Sequence, residues 1–110
     1  MTVVLTDAEM NNPLAAQATV FGTLTRLAEL HPNLPGAYVT TSQITPTEAH
    51  VLLDSPADLE AWRRATHTDA LDVQFTERQG DRKLQFTAPL GRITLKVYAV
   101  FPTVPAAVAA

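Results

Sequence analysis

Arg92-Ile93-Thr94-Leu95-Lys96-Val97-Tyr98-Ala99-Val100-Phe101 is the stretch whose reading decides the fold. Ile93, Leu95, Val97 and Ala99 alternate with Thr94, Lys96 and Tyr98. A period of two places every apolar side chain of that row on one face of a strand and the polar ones on the other. Strands of this kind belong to a sheet that is covered on one face and open on the other. Upstream, Arg82 to Ala88 sets Leu84 and Phe86 against Gln85 and Thr87. Ala70 to Arg78 sets Leu71, Val73 and Phe75 against Asp72, Gln74 and Thr76. Gln79-Gly80-Asp81 and Pro89-Leu90-Gly91 read as the turns between them. Three antiparallel strands in succession are the prediction.

Further upstream the period changes. Ser55-Pro56-Ala57-Asp58 has a capping serine, a proline at the first helical position and an acid three residues after the cap. Leu59, Trp62, Ala65 and Thr66 share one face of the helix that follows, which ends near His67. Trp62 is the expected anchor onto the sheet. Two strands, Ala37 to Gln43 and Glu48 to Asp54, precede it, joined by Ile44-Thr45-Pro46-Thr47. The first helix runs from Pro13, capped by Asn12, to about His31. Leu14, Ala18, Phe21, Leu24 and Ala28 form its apolar stripe, widened by Val20, Leu27 and Leu30. A stripe this broad implies a second contact besides the sheet. Gly22 costs about 1 kcal/mol inside a helix, and close packing is its expected reason.

The order is α-β-β-α-β-β-β. The predicted fold is an α+β two-layer sandwich, a five-stranded antiparallel sheet with two helices on one face. Residues 12–101 make the domain, between a flexible arm at 1–11 and a flexible tail at 102–110.

The 110 residues, 46% apolar and 17% charged, exclude wholesale disorder. No cysteine is present, so disulfides, thiolate metal sites and cysteine nucleophiles are excluded. No signal peptide pattern or bilayer-length apolar run is present, and a soluble cytoplasmic protein with no membrane partner is expected. Charge is uneven. Residues 1–60 carry one base and seven acids, while residues 61–110 carry seven bases and four acids. After Asp81 come Arg82, Lys83, Arg92 and Lys96 with no acid, which predicts a basic face on a protein of net charge −3.

Phasing the strands by their apolar residues gives the candidate binding face. It comprises Tyr38, Thr40, Ser42, His50, Leu52, Asp72, Gln74, Thr76, Arg78, Gln85, Thr87, Thr94, Lys96 and Tyr98. Hydroxyl and amide groups with two tyrosines suit a binding surface. They equally suit a plain solvated sheet, since threonine and tyrosine are good strand formers. Chemistry is poorly served. His31, His50 and His67 match no metal spacing, and the first and last fall at helix ends. Asp54, Asp58 and Glu60 can complement the dipole of the second helix or hold a divalent cation. Ser55 has a capping role, and Ser42 lacks a base beside it. Arg63-Arg64 reads as a solvated helix face or as a guanidinium contact to a partner. No catalytic residue, metal site or cofactor is assigned.

Three segments carry a resemblance: Asn12-Pro13-Leu14-Ala15-Ala16-Gln17-Ala18, Leu34-Pro35-Gly36-Ala37-Tyr38-Val39-Thr40-Thr41 and Ser55-Pro56-Ala57-Asp58-Leu59-Glu60-Ala61-Trp62-Arg63. They resemble small actinobacterial proteins, some of which lie beside phage-like or integrative elements. The resemblance covers roughly residues 12–66. It implies no activity, cofactor or site residue, and it favours a regulatory or accessory role.

The sequence therefore points to a non-catalytic protein-binding or regulatory domain that works through its open sheet face and forms a homodimer. A single-stranded nucleic-acid platform on the basic C-terminal strands is the alternative. A small-molecule-binding protein or enzyme is the third reading.

Overall fold

The longest alternating row takes the middle of the sheet. In the computed structural model, which describes residues 12–102, the central strand is β5 (Ile93–Pro102). Ile93, Leu95, Val97 and Ala99 are all buried to within 2% exposure. The centre is the position with a neighbour on each side, so the most complete apolar face is used most fully there. β4 (Asp81–Leu90) lies antiparallel to it, with Leu84, Phe86 and Ala88 opposite Ala99, Val97 and Leu95. β2 (Glu48–Leu53) flanks it on the other side, with Ala49, Val51 and Leu53 opposite Leu95, Val97 and Ala99. β1 (Tyr38–Thr41) and β3 (Gln74–Arg78) are the edges, in the order β1-β2-β5-β4-β3.

The element order α-β-β-α-β-β-β and the α+β class are as the sequence predicts. The sheet is mixed, however: β2 and β5 pair in parallel. Only three of the connections are short enough to force antiparallel neighbours. The link from β2 to β3 contains a helix, and a helical crossover makes the strands it joins parallel. β5 is two antiparallel steps from β3, so it also runs with β2.

Both helices lie on the apolar face, where Val20, Leu27, Leu59, Trp62 and Ala65 join the inward rows in one core. α2 (Pro56–Ala65) begins as expected, with Ser55 Oγ accepting the Asp58 N–H at 3.2 Å. Trp62 is buried among the core residues, and its Nε1 donates to the carbonyl of Pro35 at 2.9 Å. α1 (Ala18–Leu30) follows a 3₁₀ turn over Leu14–Gln17. Asn12 does not cap it; its Nδ2 donates to Gln43 O at 2.8 Å and ties the entry of the helix to the loop after β1. Gln17 Nε2 is buried and donates to Thr41 Oγ1 at 2.8 Å, a second tie to the same strand.

The stripe that α1 buries is not the one its sequence suggests. Val20 and Leu27 are buried and Leu24 packs beside them, whereas Leu14, Ala18, Phe21 and Ala28 are exposed. Two apolar stripes run along this helix, and the one with the bulkier aliphatic side chains covers the sheet. Among the described residues nothing lies within 4 Å of where a Cβ on Gly22 would stand, so close packing against them does not account for that glycine.

Two further boundaries differ. Ala70–Asp72 is a 3₁₀ turn capped by Asp69 Oδ1, which accepts the Leu71 N–H at 2.9 Å, so the strand starts later than its alternation implies. Leu71 is 91% exposed and Phe75 56% exposed, because β3 lies at the sheet edge away from the helices. β4 continues through Pro89 to Leu90 and turns at Gly91, whose φ of 64° needs no side chain. Pro89 fits mid-strand since β3 pairs only with Asp81 to Gln85 and needs no N–H from it. Pro102, read as the first tail residue, closes β5. The arm at 1–11 and the tail from residue 103 lie outside the described residues.

Candidate binding face

The strand registers place ten candidate residues on one surface. A row crosses all five strands as Tyr38, Leu52, Tyr98, Gln85 and Gln74. The next row is Thr40, His50, Lys96 and Thr87, and beyond it lie Glu48, Thr94 and Pro89. On the other side come Val100, Lys83 and Thr76, then Pro102, Asp81 and Arg78. Tyr38, Thr40, His50, Gln74, Thr76, Arg78, Gln85, Thr94, Lys96 and Tyr98 therefore all stand on the face opposite the helices. Ser42 and Asp72 do not. Ser42 follows β1 and its Oγ accepts the Ile44 N–H at 3.0 Å; Asp72 belongs to the 3₁₀ turn.

The same registers add residues that the sequence reading missed, and two of them, Lys83 and Glu48, contact the selected ones. Lys83 Nζ sits 5.2 Å from the centroid of the Tyr98 ring, within cation–π range. Glu48 Oε1 lies 3.4 Å from His50 Nε2 and 3.6 Å from Lys96 Nζ, so one carboxylate serves both. Each lies two residues before a selected position (Gln85 and His50), so extending the alternation one step would have found them. Gln85 Nε2 donates to Gln74 Oε1 at 3.2 Å and braces the edge strand from the same side.

These groups border two shallow depressions. One, of about 370 Å³, is lined by His50, Lys83, Gln85, Phe86, Thr87, Lys96, Val97 and Tyr98. The second, of about 380 Å³, is lined by Thr76, Arg78, Asp81, Arg82, Lys83 and Val100. Lys83 belongs to both, so a basic track runs from Arg78 past Lys83 and Tyr98 to Lys96. Glu48, paired with Lys96, and Asp81 lie beside this track, so its cations are partly balanced and Lys83 faces the Tyr98 ring. Ammonium groups attract carboxylate or phosphate oxygens, while the hydroxyl of Thr87 and the amide of Gln85 supply neutral hydrogen bonds.

The other candidates lie elsewhere. Arg63 does not reach outward. Its Nε donates to Glu60 Oε1 at 2.8 Å, its Nη1 to Thr68 O at 2.7 Å, and Arg64 Nε to Glu60 Oε2 at 3.0 Å. The Arg63 hydrogen bonds, then those of Arg64, hold the Glu60 carboxyl down at about 2. Glu60 is therefore committed to two arginines. Among the described residues no group of three histidine or acidic side chains is placed to hold a metal ion. His31 closes α1, and His67 follows α2 with a left-handed φ of 55°. Among the described residues no helix is long and apolar enough to cross a membrane. No family model matches the chain, and no curated protein and no solved structure matches it either.

Proposed function

We propose that this protein is a non-catalytic binding domain that takes an extended, carboxylate-bearing segment of a protein partner on its open sheet face. One observation carries the reading: Lys83, Tyr98 and Lys96 form a cation–aromatic–cation track on a face that no helix among the described residues covers. A protein partner fits better than a polyanion. The chain carries net charge −3, and long-range repulsion falls on a phosphate backbone far more than on a few local carboxylates.

Single-stranded nucleic acid is the second reading, favoured by the exposed ring of Tyr38 in the same row as Tyr98. Titration separates the two. Backbone amide shifts are followed as an extended Asp/Glu-rich peptide, and separately oligo-dT, is added at low and moderate salt. The expected result is peptide-induced shifts confined to β2, β4 and β5, lost in Lys83→Glu and Lys96→Glu. Tighter oligo-dT binding that depends on Tyr98 establishes the nucleic-acid reading instead. Binding of neither ligand overturns both.

A further inference from the structure

The two ammonium groups beside the Tyr98 ring are not equivalent. Lys83 Nζ faces the ring at 5.2 Å, and among the described residues no carboxylate forms an ion pair with it. Lys96 Nζ lies 3.6 Å from Glu48 Oε1, an oxygen that is also 3.4 Å from His50 Nε2. One lysine is open to an incoming anion, and the other already holds an anion of its own chain.

The geometry of that second contact is loose. Glu48 pairs across the sheet with Thr94 and His50 with Lys96, so Glu48 stands diagonally beside Lys96 on the open face. Both separations exceed the roughly 2.7–2.9 Å of a charge-assisted hydrogen bond. Lys96 and His50 are each nearly half exposed. An ion pair this open to water contributes little and exchanges readily. The depression of about 370 Å³ is bordered by His50, Lys83, Lys96 and Tyr98, but not by Glu48. Lys96 therefore stands between the depression and Glu48. A carboxylate arriving there meets Lys83 without competition, and gains Lys96 only by displacing Glu48. Glu48 is not stranded by the exchange, because a ring N–H at His50 Nε2 still donates to it.

We propose that Glu48 is an internal competitor for the carboxylates of the partner segment, holding Lys96 in the free protein and yielding it on binding. The inference rests on the peptide-binding reading above and narrows it. A segment with one carboxylate engages Lys83 alone, whereas a segment with two engages both lysines. A Glu48 that instead positioned Lys96 for the ligand would need a tight contact, and its removal would weaken binding.

The two roles give opposite signs in isothermal titration with a synthetic peptide alternating glutamate and serine, at low salt. Glu48→Gln keeps the size of the side chain and an acceptor oxygen, and circular dichroism checks that the fold is kept. Glu29→Gln, on α1 away from the open face, raises the net charge by the same amount and so measures the long-range effect alone. Glu48→Gln is expected to bind about two- to fivefold more tightly than Glu29→Gln, the size of one exposed ion pair. Lys96→Met is expected to weaken binding more in the Glu48→Gln background than in the parent, because Lys96 is then free to serve the ligand alone. Equal affinities of Glu48→Gln and Glu29→Gln, or weaker binding by Glu48→Gln, overturn the inference and leave the peptide-binding reading standing. Effects of Glu48→Gln and Lys96→Met that simply add overturn it as well. A peptide that binds neither the parent nor any variant overturns both.

Discussion

The indole Nε1 of Trp62 donates to the carbonyl oxygen of Pro35 at 2.9 Å, fastening α2 to the loop that follows α1 across 27 residues of chain. Trp62 also fills the core between that loop and the sheet. Trp62→Phe keeps most of the apolar area and leaves the half-buried Pro35 carbonyl without its donor. A loss of about 1–2 kcal/mol is expected, rising to about 3–5 kcal/mol for Trp62→Ala. Urea midpoints with unchanged slopes measure both; a Phe variant as stable as the parent contradicts the role of the hydrogen bond.

The pairing of Glu60 with Arg63 and Arg64 makes stability depend on pH. The carboxyl is lowered from 4.5 to about 2 in the folded chain. A depressed folded value means that the contribution is complete above the unfolded value and disappears as pH falls from about 4.5 toward about 2. Glu60→Gln should therefore be less stable than the parent at neutral pH, and the difference should close near pH 2. Denaturation midpoints across that window give the answer, and a gap that persists in acid rules the mechanism out.

Ser55 holds the first turn of α2 by one hydrogen bond to the Asp58 N–H. Ser55→Ala should cost about 1 kcal/mol and Ser55→Asp close to nothing, because the aspartate oxygen can accept the same bond. Equal losses in the two variants would show that the cap is not what the serine contributes.

Backbone strain sits at His67, whose φ of 55° is left-handed. A side chain pays about 1–2 kcal/mol for that conformation, partly offset in glycine by greater freedom when unfolded. His67→Gly is expected to stabilise by about 0.5–1 kcal/mol. Gly91→Ala, at a φ of 64°, should destabilise by about 1 kcal/mol. Thermal melts of the two variants should move in opposite directions.

Two leucines test where the core ends. Leu53 is 1% exposed within the inward rows, whereas Leu71 is almost fully exposed on the turn before β3. Leu53→Ala should cost about 2–5 kcal/mol, and Leu71→Ser should stay within about 0.5 kcal/mol. A large loss at Leu71 would mean that the turn is covered in solution.

The open face was legible because its signal is local. Tyr38, His50, Gln85, Lys96 and Tyr98 each follow from the two-residue period of their own strand, and any register that buries the apolar row exposes them. The contact of Lys83 with Tyr98 was not legible. It depends on the β4·β5 register, which pairs Gln85 with Tyr98 and so sets Lys83 diagonally beside that ring, opposite Val100. Nor was the fate of Glu60 and Arg63. Their spacing of three suits a helical ion pair, but the closing bond from Arg63 to Thr68 O depends on how the chain leaves α2.

The amino-acid sequence by itself determined the elements, their order and which face of each strand is apolar, because periodicity, capping and turn chemistry act within a few residues. Only the tertiary structure decided that β2 lies parallel to β5, that α1 buries Val20 and Leu27 in preference to Phe21, and that β3 is left at an exposed edge. Those choices are made among surfaces distant in the chain, where the arrangement that removes most apolar area from water prevails and local pattern carries no record of it.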